Sequence, residues 1–330
     1  MKLVPVDPDD DAAVAAYVAV ARACAAVDAA WERPLTPHRQ VQELRTGYEG
    51  EGGRGYLLRD GERDVGTAEL YTSEYDNRSM AWIGVQVLPE LRRRGLASTA
   101  LESVYDECRR LGRDLVLLWG WDTPAMRAFA SGAGFVERSV EVCRVLEVDT
   151  GPERAAYVAD LHAEAAAHAG EYDLETVTGP SPEPLLAALL AVTEAINDAP
   201  TDDLEIEDEA YDLDRIRAYE QAQQDSGFRM HRVLARHRAT GEVVGHTVVA
   251  VDAEQPRWAE QHDTAVVPAH RGHRLGMLLK TAMLQHLAAA EPQLRRIVTE
   301  NAESNAVMVE INERLGLTIA DRVLLFQRRI

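Results

Sequence analysis

At 330 residues, of which 46% are apolar or aromatic, the chain is long enough for two cores of ordinary size and rich enough in apolar side chains to pack both. Its 55 acidic side chains outnumber 35 basic ones, and the formal charge of −20 repels phosphate backbones, which argues against nucleic acid as a partner. No uncharged apolar run reaches the roughly eighteen residues that span a bilayer, and the start, MKLVPVDPDDD, turns acidic at once, so the expectation is a soluble, cytoplasmic protein with no membrane partner.

In chain order, strand signals fall at 2–6 and 55–59. After an Asp60-Gly61 turn they resume at 64–71 and again at 82–87; Asp-Gly between two apolar runs is a hairpin signal. Helical periodicity covers 12–29 and 96–111, the latter with Ala97, Leu101, Val104, Tyr105 and Cys108 on one face. A buried strand is expected at 115–119, a helix at 123–131 and a closing strand at 140–148. An Ala-rich helical connector, 149–170, separates the halves.

The second half repeats the order. Strands are expected from about 172 and at 232–236, 243–251 and 262–267, then a helix at 275–289, a strand at 296–299, a helix at 305–315 and a closing strand at 322–327. A single offset lays Val65-Gly66 on Val244-Gly245, Pro89 on Pro268, Arg92 on Arg271 and Ala97 on Gly276. Agreement at one offset indicates an internal duplication. The fold class expected is therefore α/β, two tandem domains at 1–150 and 151–330, each a mixed twisted sheet flanked by helices. The acidic run at 201–209, TDDLEIEDE, reads as a solvated loop or helix face, with attraction of amines as the second reading.

A strand, a short loop rich in Arg and Gly and then a helix make a phosphate cradle, because the helix start offers unpaired N–H groups and the positive end of its dipole. In the first half the loop is Leu91-Arg92-Arg93-Arg94-Gly95-Leu96-Ala97, and in the second it is His270-Arg271-Gly272-His273-Arg274-Leu275-Gly276. Both loops resemble the Arg/Gln-x-x-Gly-x-Gly/Ala motif of the GNAT acetyltransferase superfamily. The first matches at Arg92, Gly95 and Ala97; the second matches at Arg271 and Gly276 and carries Arg274 in the middle Gly position. The resemblance implies acetyl-CoA, or another acyl-CoA, as cofactor. Its contacts would be Val87, Leu88, Arg92, Arg93, Arg94, Gly95, Leu96 and Ala97 in the first half. In the second they would be Val266, Val267, Arg271, Gly272, His273, Arg274, Leu275 and Gly276, with the backbone of Val266 and Val267 free to pair with the pantetheine arm.

The family's later motif, an Asn before a helix that ends in Gly-Phe, is similar to Asn305 with Gly316-Leu317, which implies that Asn305 and the nearby Asn301 contact the cofactor. Asn305 also reads as an N-cap. In the first half Thr123 stands in place of that Asn, before Gly134-Phe135, and the first domain is expected to be degenerate. The Tyr that many members use as general acid is replaced by Ala130 in one half and Asn312 in the other.

Amine acetylation needs a base. Counting back eight residues from Pro268 reaches Glu260, while the same count from Pro89 reaches Ala81. Similar tandem members carry a catalytic Glu at this relative place in their C-terminal half. Regular strand alternation puts Glu260, His262 and Thr264 on one face and Asp263 on the other, so His262 is a second candidate base. Trp82, Trp119 and Trp121 read as core or groove filler. The three cysteines fit neither a disulfide framework nor a metal site, and no metal is expected.

The resulting expectation is an N-acetyltransferase acting on a small-molecule amine by direct transfer, as a monomer or homodimer. The acidic surface favours a cationic acceptor, although solubility alone explains it equally. The alternatives are an acyltransferase with another acyl donor or a thiol or hydroxyl acceptor, and a non-catalytic acyl-CoA-binding module.

Overall fold

A computed structural model describes residues Met1–Ile330. Contacts divide the chain into two compact units. The first comprises residues 1–141, 201–208 and 321–330; the second comprises 142–200 and 209–320. The units therefore do not part at one point between residues 150 and 151.

The first unit begins with β1 (Lys2–Pro5), α1 (Asp11–Asp28) and α2 (Pro37–Arg45). A meander follows, of β2 (Arg54–Asp60), β3 (Arg63–Tyr71) and β4 (Met80–Val87), then α3 (Leu96–Arg110), β5 (Leu115–Trp121), α4 (Pro124–Gly132) and β6 (Val136–Glu147). The sheet runs β1-β2-β3-β4-β5, antiparallel except for the parallel pair β4–β5. Alternation splits its side chains between two layers. Leu58, Leu70, Ile83 and Leu118 pack on Leu101, Val104 and Tyr105 of α3, while Leu57 on the opposite face meets Val14, Tyr17 and Val18 of α1. Each such aliphatic side chain removed from water contributes about 1.5–3 kcal/mol.

The second unit repeats this plan. It contains α5 (Pro152–Ala166), β7 (Tyr172–Thr178), α6 (Glu183–Glu194), α7 (Leu213–Asp225), β8 (Phe228–His237), β9 (Val243–Asp252) and β10 (Trp258–Val266). It continues with α8 (Leu275–Ala290), β11 (Arg296–Ala302) and α9 (Ala306–Arg314), and the chain ends in β12 (Thr318–Arg329). The sheet order is β11-β10-β9-β8-β7, with β10–β11 parallel. Helices α5 and α8 cover one face through Leu161, Ala165, Leu279 and Met283; α6 and α7 cover the other through Leu189, Val192 and Ile216.

Two expectations are corrected. The closing strands are exchanged: residues 323–329 of β12 pair with β5 in the first unit, and residues 142–147 of β6 lie beside β11 in the second. An alternating apolar pattern says that a strand closes a sheet, not whose edge it closes. The expected connector is α5, whose Leu161 and Ala165 belong to the second core. The acidic run is a mostly exposed loop, as expected, and it also makes contacts. Its residues 201–208 strap the first unit, where Leu204 packs with Trp82 and Trp119 and Glu207 exchanges two hydrogen bonds with Asn77, at 2.8 and 2.9 Å.

Candidate functional site

In the second unit β10 and β11 pair only from Trp258↔Arg296 to Glu260↔Val298, although both strands continue. The strands part beyond that point, and the loop to α8 begins where β10 ends. In the loop Arg274 adopts a left-handed conformation, φ 56°, and no side chain caps α8. By contrast α1, α2, α4, α7 and α9 are each capped by an Asp, Thr or Asn side chain. The first N–H groups of α8 are thus left for an anion. Gly276 keeps the start of α8 close to α9, since a Cβ there would lie 3.0 Å from Ile311 Cδ1.

The loop is braced by its own arginines. Arg271 Nε donates to the Val266 carbonyl at 2.9 Å and its Nη2 to Asp198 at 2.6 Å; Arg274 bonds Glu164, which also accepts from Arg314. His270 accepts or donates at 2.9 Å with the Tyr172 hydroxyl, and the His273 ring lies 5.6 Å from the same tyrosine. The expectation that Val266 and Val267 keep their backbone free is corrected for the Val266 carbonyl and for both groups of Val267. The Val266 carbonyl is held by Arg271, and Val267 donates to Val244 and accepts from His270.

Pairing along β10 is interrupted by a bulge between Gln261 and Thr264. One extra residue there reverses the alternation beyond it. Thr264 therefore pairs with Thr247 on the α8 face, where their hydroxyls lie 2.7 Å apart, not on the face of Glu260. Asp263, expected opposite Glu260, falls on its face, where burial raises its pKa against the opposing pull of His262 and Arg232. Gln261 Nε2 satisfies the Val248 carbonyl at 2.6 Å inside the bulge. The bulge also changes the counterpart of Glu260. Glu260 faces Ala250 and Val298 as Trp82 faces Tyr71 and Leu117, so the matching residue in the first unit is Trp82 rather than Ala81.

The two candidate bases do come together. Glu260 Oε2 and His262 Nε2 are 3.6 Å apart, with the imidazole nearly buried and Glu260 35% exposed. His262 Nδ1 meets the Tyr219 hydroxyl of α7 at 2.7 Å, a partner with no local sequence signal, because α7 itself was not expected. Across the parted strands Glu300 accepts from Cys143 Sγ at 3.1 Å. The protein around the cleft and the Glu260 charge raise the pKa of Glu300.

Behind the cleft a polar chain runs through the core. Asn305 caps α9 by accepting from the Met308 N–H at 3.2 Å. Asn301 accepts from Asn312 at 3.2 Å and from Arg144 at 3.4 Å, and donates to the Ala302 carbonyl at 2.8 Å. Fully buried Asn312 accepts from Lys280 Nζ at 2.7 Å, and burial lowers the pKa of Lys280 to about 7. A lone lysine amid the apolar residues of α8 was the signal in the sequence that could have found it.

In the first unit β4 and β5 pair from Met80↔Leu115 to Ile83↔Leu118 and then part, without a bulge between β3 and β4. Gly95 takes the left-handed place of Arg274, φ 76°, before the equally uncapped α3. Arg92 Nε donates to the Val87 carbonyl at 3.0 Å and its two terminal nitrogens to Asp28, the same brace that Arg271 makes. Leu88 N–H is held by Val65, so here too the loop's entry is fixed. Arg93, at φ 64°, and Arg94 complete the loop before Leu96 and Ala97. Thr123 caps α4 by accepting from Met126 at 3.0 Å. Trp121 packs edge-on against Trp31 and Trp119.

Comparison with known proteins agrees with this geometry. The family model described as Acetyltransferase (GNAT) family matches residues 23–135 and 191–317, one copy in each half. A mycothiol acetyltransferase from Gordonia bronchialis is 26% identical over 251 residues, which is 72% of this chain and 70% of that protein. Among solved structures, a tandem GNAT protein from the clavulanic acid biosynthesis pathway superposes with a TM-score of 0.79 at 23% identity, covering 99% of this chain and 98% of its own. A GCN5-related N-acetyltransferase from Sphaerobacter thermophilus follows at a TM-score of 0.69 and 15% identity, over 99% and 95% of the two chains. With two parted strand pairs, each leading into an uncapped helix, and a family match in each half, the chain belongs to the GNAT acetyltransferase family as a tandem-domain acyltransferase.

Proposed function

We propose that the chain is an acetyl-CoA-dependent N-acetyltransferase that works by direct transfer to a small-molecule amine in its second unit. One observation carries this reading: the Glu260–His262 pair stands where β10 and β11 stop pairing, at Glu260↔Val298. The surroundings fit a nucleotide thioester, because parted strands admit an extended arm and the uncapped start of α8 suits a pyrophosphate. When bound, acetyl-CoA supplies the activated acyl group.

The chain's own residues do the rest. N–H groups at the start of α8 hold the diphosphate, and the loop braced by Arg271 keeps them aimed. The stretch of β10 up to the Val266 N–H orients the arm, since the Val266 carbonyl and both backbone groups of Val267 are already bonded. Glu260 accepts the proton of the acceptor amine, directly or through His262, and Tyr219 fixes the imidazole from its other nitrogen. Asn301 and Asn312 shape the wall behind the cleft and do not replace the family's Tyr as an acid. No helix is long and apolar enough to cross a membrane, which accords with a cytoplasmic enzyme. The relative named as an acetyltransferase supports acetyl as the transferred group.

The test is Glu260→Gln beside His262→Ala, with labelled acetyl-CoA and a panel of amines and thiols. Loss of a positioned base costs about a hundred- to ten-thousand-fold in rate. Glu260→Gln is expected to show that loss while acetyl-CoA affinity stays within about threefold, or roughly 0.7 kcal/mol. A rate lowered less than about tenfold by both substitutions removes the assigned base, and acylation confined to thiols removes the amine.

A further inference from the structure

The first unit holds a half-open pocket of about 490 Å³ that transfer in the second unit does not use. Its floor is formed by Thr67, Glu69 and Tyr71 of β3, Gly84 and Gln86 of β4, and Trp119 of β5. Alanines of α1 and the segment after it make an apolar wall. Gly84 creates the room, because a Cβ at this position would lie 2.5 Å from Glu69 Oε1. The carboxylate therefore lies across β4, facing the space.

Every hydrogen-bond partner of Glu69 is neutral. The Tyr17 and Tyr71 hydroxyls stand 3.5 Å from its Oε2, and the Trp119 indole also donates. The other carboxylate that acts on it, Glu43, is paired with Arg39 at 2.9 Å. Glu69 is half-buried at the pocket floor, and desolvation by the surrounding protein, followed by Glu43, pushes its pKa up to about 7. Burial likewise raises both tyrosines, which stay neutral donors.

We propose that this cavity binds a small primary amine with an apolar body, as its ammonium ion, with Glu69 as the counter-ion. The ammonium would meet a carboxylate that has only neutral partners, beside the side chains of Trp119, Tyr71 and Tyr17 that line the pocket. The alanine wall suits the apolar body, and the volume lies within the range of about 300–1,000 Å³ that small ligands occupy. The chain's net charge of −20 favours the approach of a cation. Gly84 and Trp119 directly follow Ile83↔Leu118, the last paired position of β4 and β5, so the ammonium end sits beside the parting of the strands. This binding does not depend on transfer in the second unit.

The sign of its pH dependence follows from Glu69. Other charged or titratable groups facing the cavity are Arg22 of α1, Glu32 and Arg33 of the segment after it, Glu43 of α2 and the two tyrosines. Without ligand Glu69 is protonated below about 7, and pairing with an ammonium releases that proton.

The experiment is calorimetric titration of the whole chain, without acetyl-CoA, using phenethylamine hydrochloride, with phenethyl alcohol as the uncharged analogue. The amine is expected to bind at least about tenfold more tightly than the alcohol, and its affinity to fall about tenfold from pH 8 to pH 6. At pH 6 close to one proton should be released, read from buffers of different ionisation enthalpy. Glu69→Gln should lower the affinity at least about tenfold and abolish the proton release, with its melting curve checking the fold. Gly84→Ala, which displaces the carboxylate, should weaken binding in the same direction. Binding that does not distinguish amine from alcohol overturns the proposal. Loss of binding in Glu260→Gln but not in Glu69→Gln also overturns it, by placing the amine in the second unit. Turnover is not read, so failure here is separate from failure of the transfer reading.

Discussion

The two units share a cradle and differ in where they carry acid. In both, a parallel strand pair opens after a few residues, an arginine braces the loop through the carbonyl five residues back, and an uncapped helix follows. The second unit carries Glu260 on the strand that leads into the loop; the first has Trp82 there and presents Glu69 from the neighbouring strand. One inserted residue in β10 adds to this difference, since the bulge turns Asp263 onto the face that alternation denies it. A duplicated scaffold can thus keep its anion cradle while its acceptor side diverges, because backbone amides serve the cradle whatever the side chains are.

Paired substitutions sharpen that comparison. The largest effect is expected from charge in the cradle: Gly276→Glu sets a carboxylate against the diphosphate and should weaken acetyl-CoA binding in the second unit by more than about a hundredfold, about 2.7 kcal/mol, and stop turnover. Ala97→Glu, its match in the first unit, should leave turnover nearly unchanged. Calorimetry and a steady-state assay read both, and equal losses of turnover would make the units equivalent.

Next is Lys280, where the first unit has Leu101. Its pKa is lowered from 10.5 to about 7, so between those values the unfolded chain binds a proton that the folded chain lacks. Stability should rise with pH through that window, by at most about 1.4 kcal/mol per unit, and be lowest below pH 7. Lys280→Leu should flatten the slope in urea melts from pH 7 to pH 10. The slope is the readout because Asn312 also loses its partner. An unchanged slope would mean that another group sets it.

The smallest effect is expected at the loop braces. Arg92→Glu, which turns an ion pair with Asp28 into a repulsion, should keep turnover within a few-fold, about 1 kcal/mol or less of barrier. Arg271→Glu, which frees the loop before α8, should cost more than about tenfold. Comparable losses would show that the first unit takes part in turnover.

Much of the scaffold was legible. Apolar periodicity located α1 and α3, the Asp60-Gly61 turn located the β2–β3 hairpin, and one offset found the repeat that places α8 after its loop, because these signals are local. Helices α2, α6 and α7 were missed: α2 is short and mostly polar, α7 carries many charged and amide side chains, and α6 is apolar around most of its circumference, so neither of the last two shows a clear stripe. Part of the site was legible too: Glu260 and His262 are two residues apart on one strand, and their meeting needs only an extended backbone. Tyr219 comes from 43 residues away, and nothing in its neighbourhood marks it.

The sequence alone determined that there are two copies of one α/β plan, the loops that make their cradles, and a glutamate and histidine before the second loop, since each is written in residues near one another in the chain. Only the tertiary structure decided the rest. It set which sheet each closing strand joins, which β10 residues the bulge turns to which face, and that Glu69, Tyr17, Tyr71 and Trp119 surround one space. Those outcomes depend on strand register and on partners far apart in sequence. A one-residue slip in register reverses every side chain beyond it, and no local pattern records that choice.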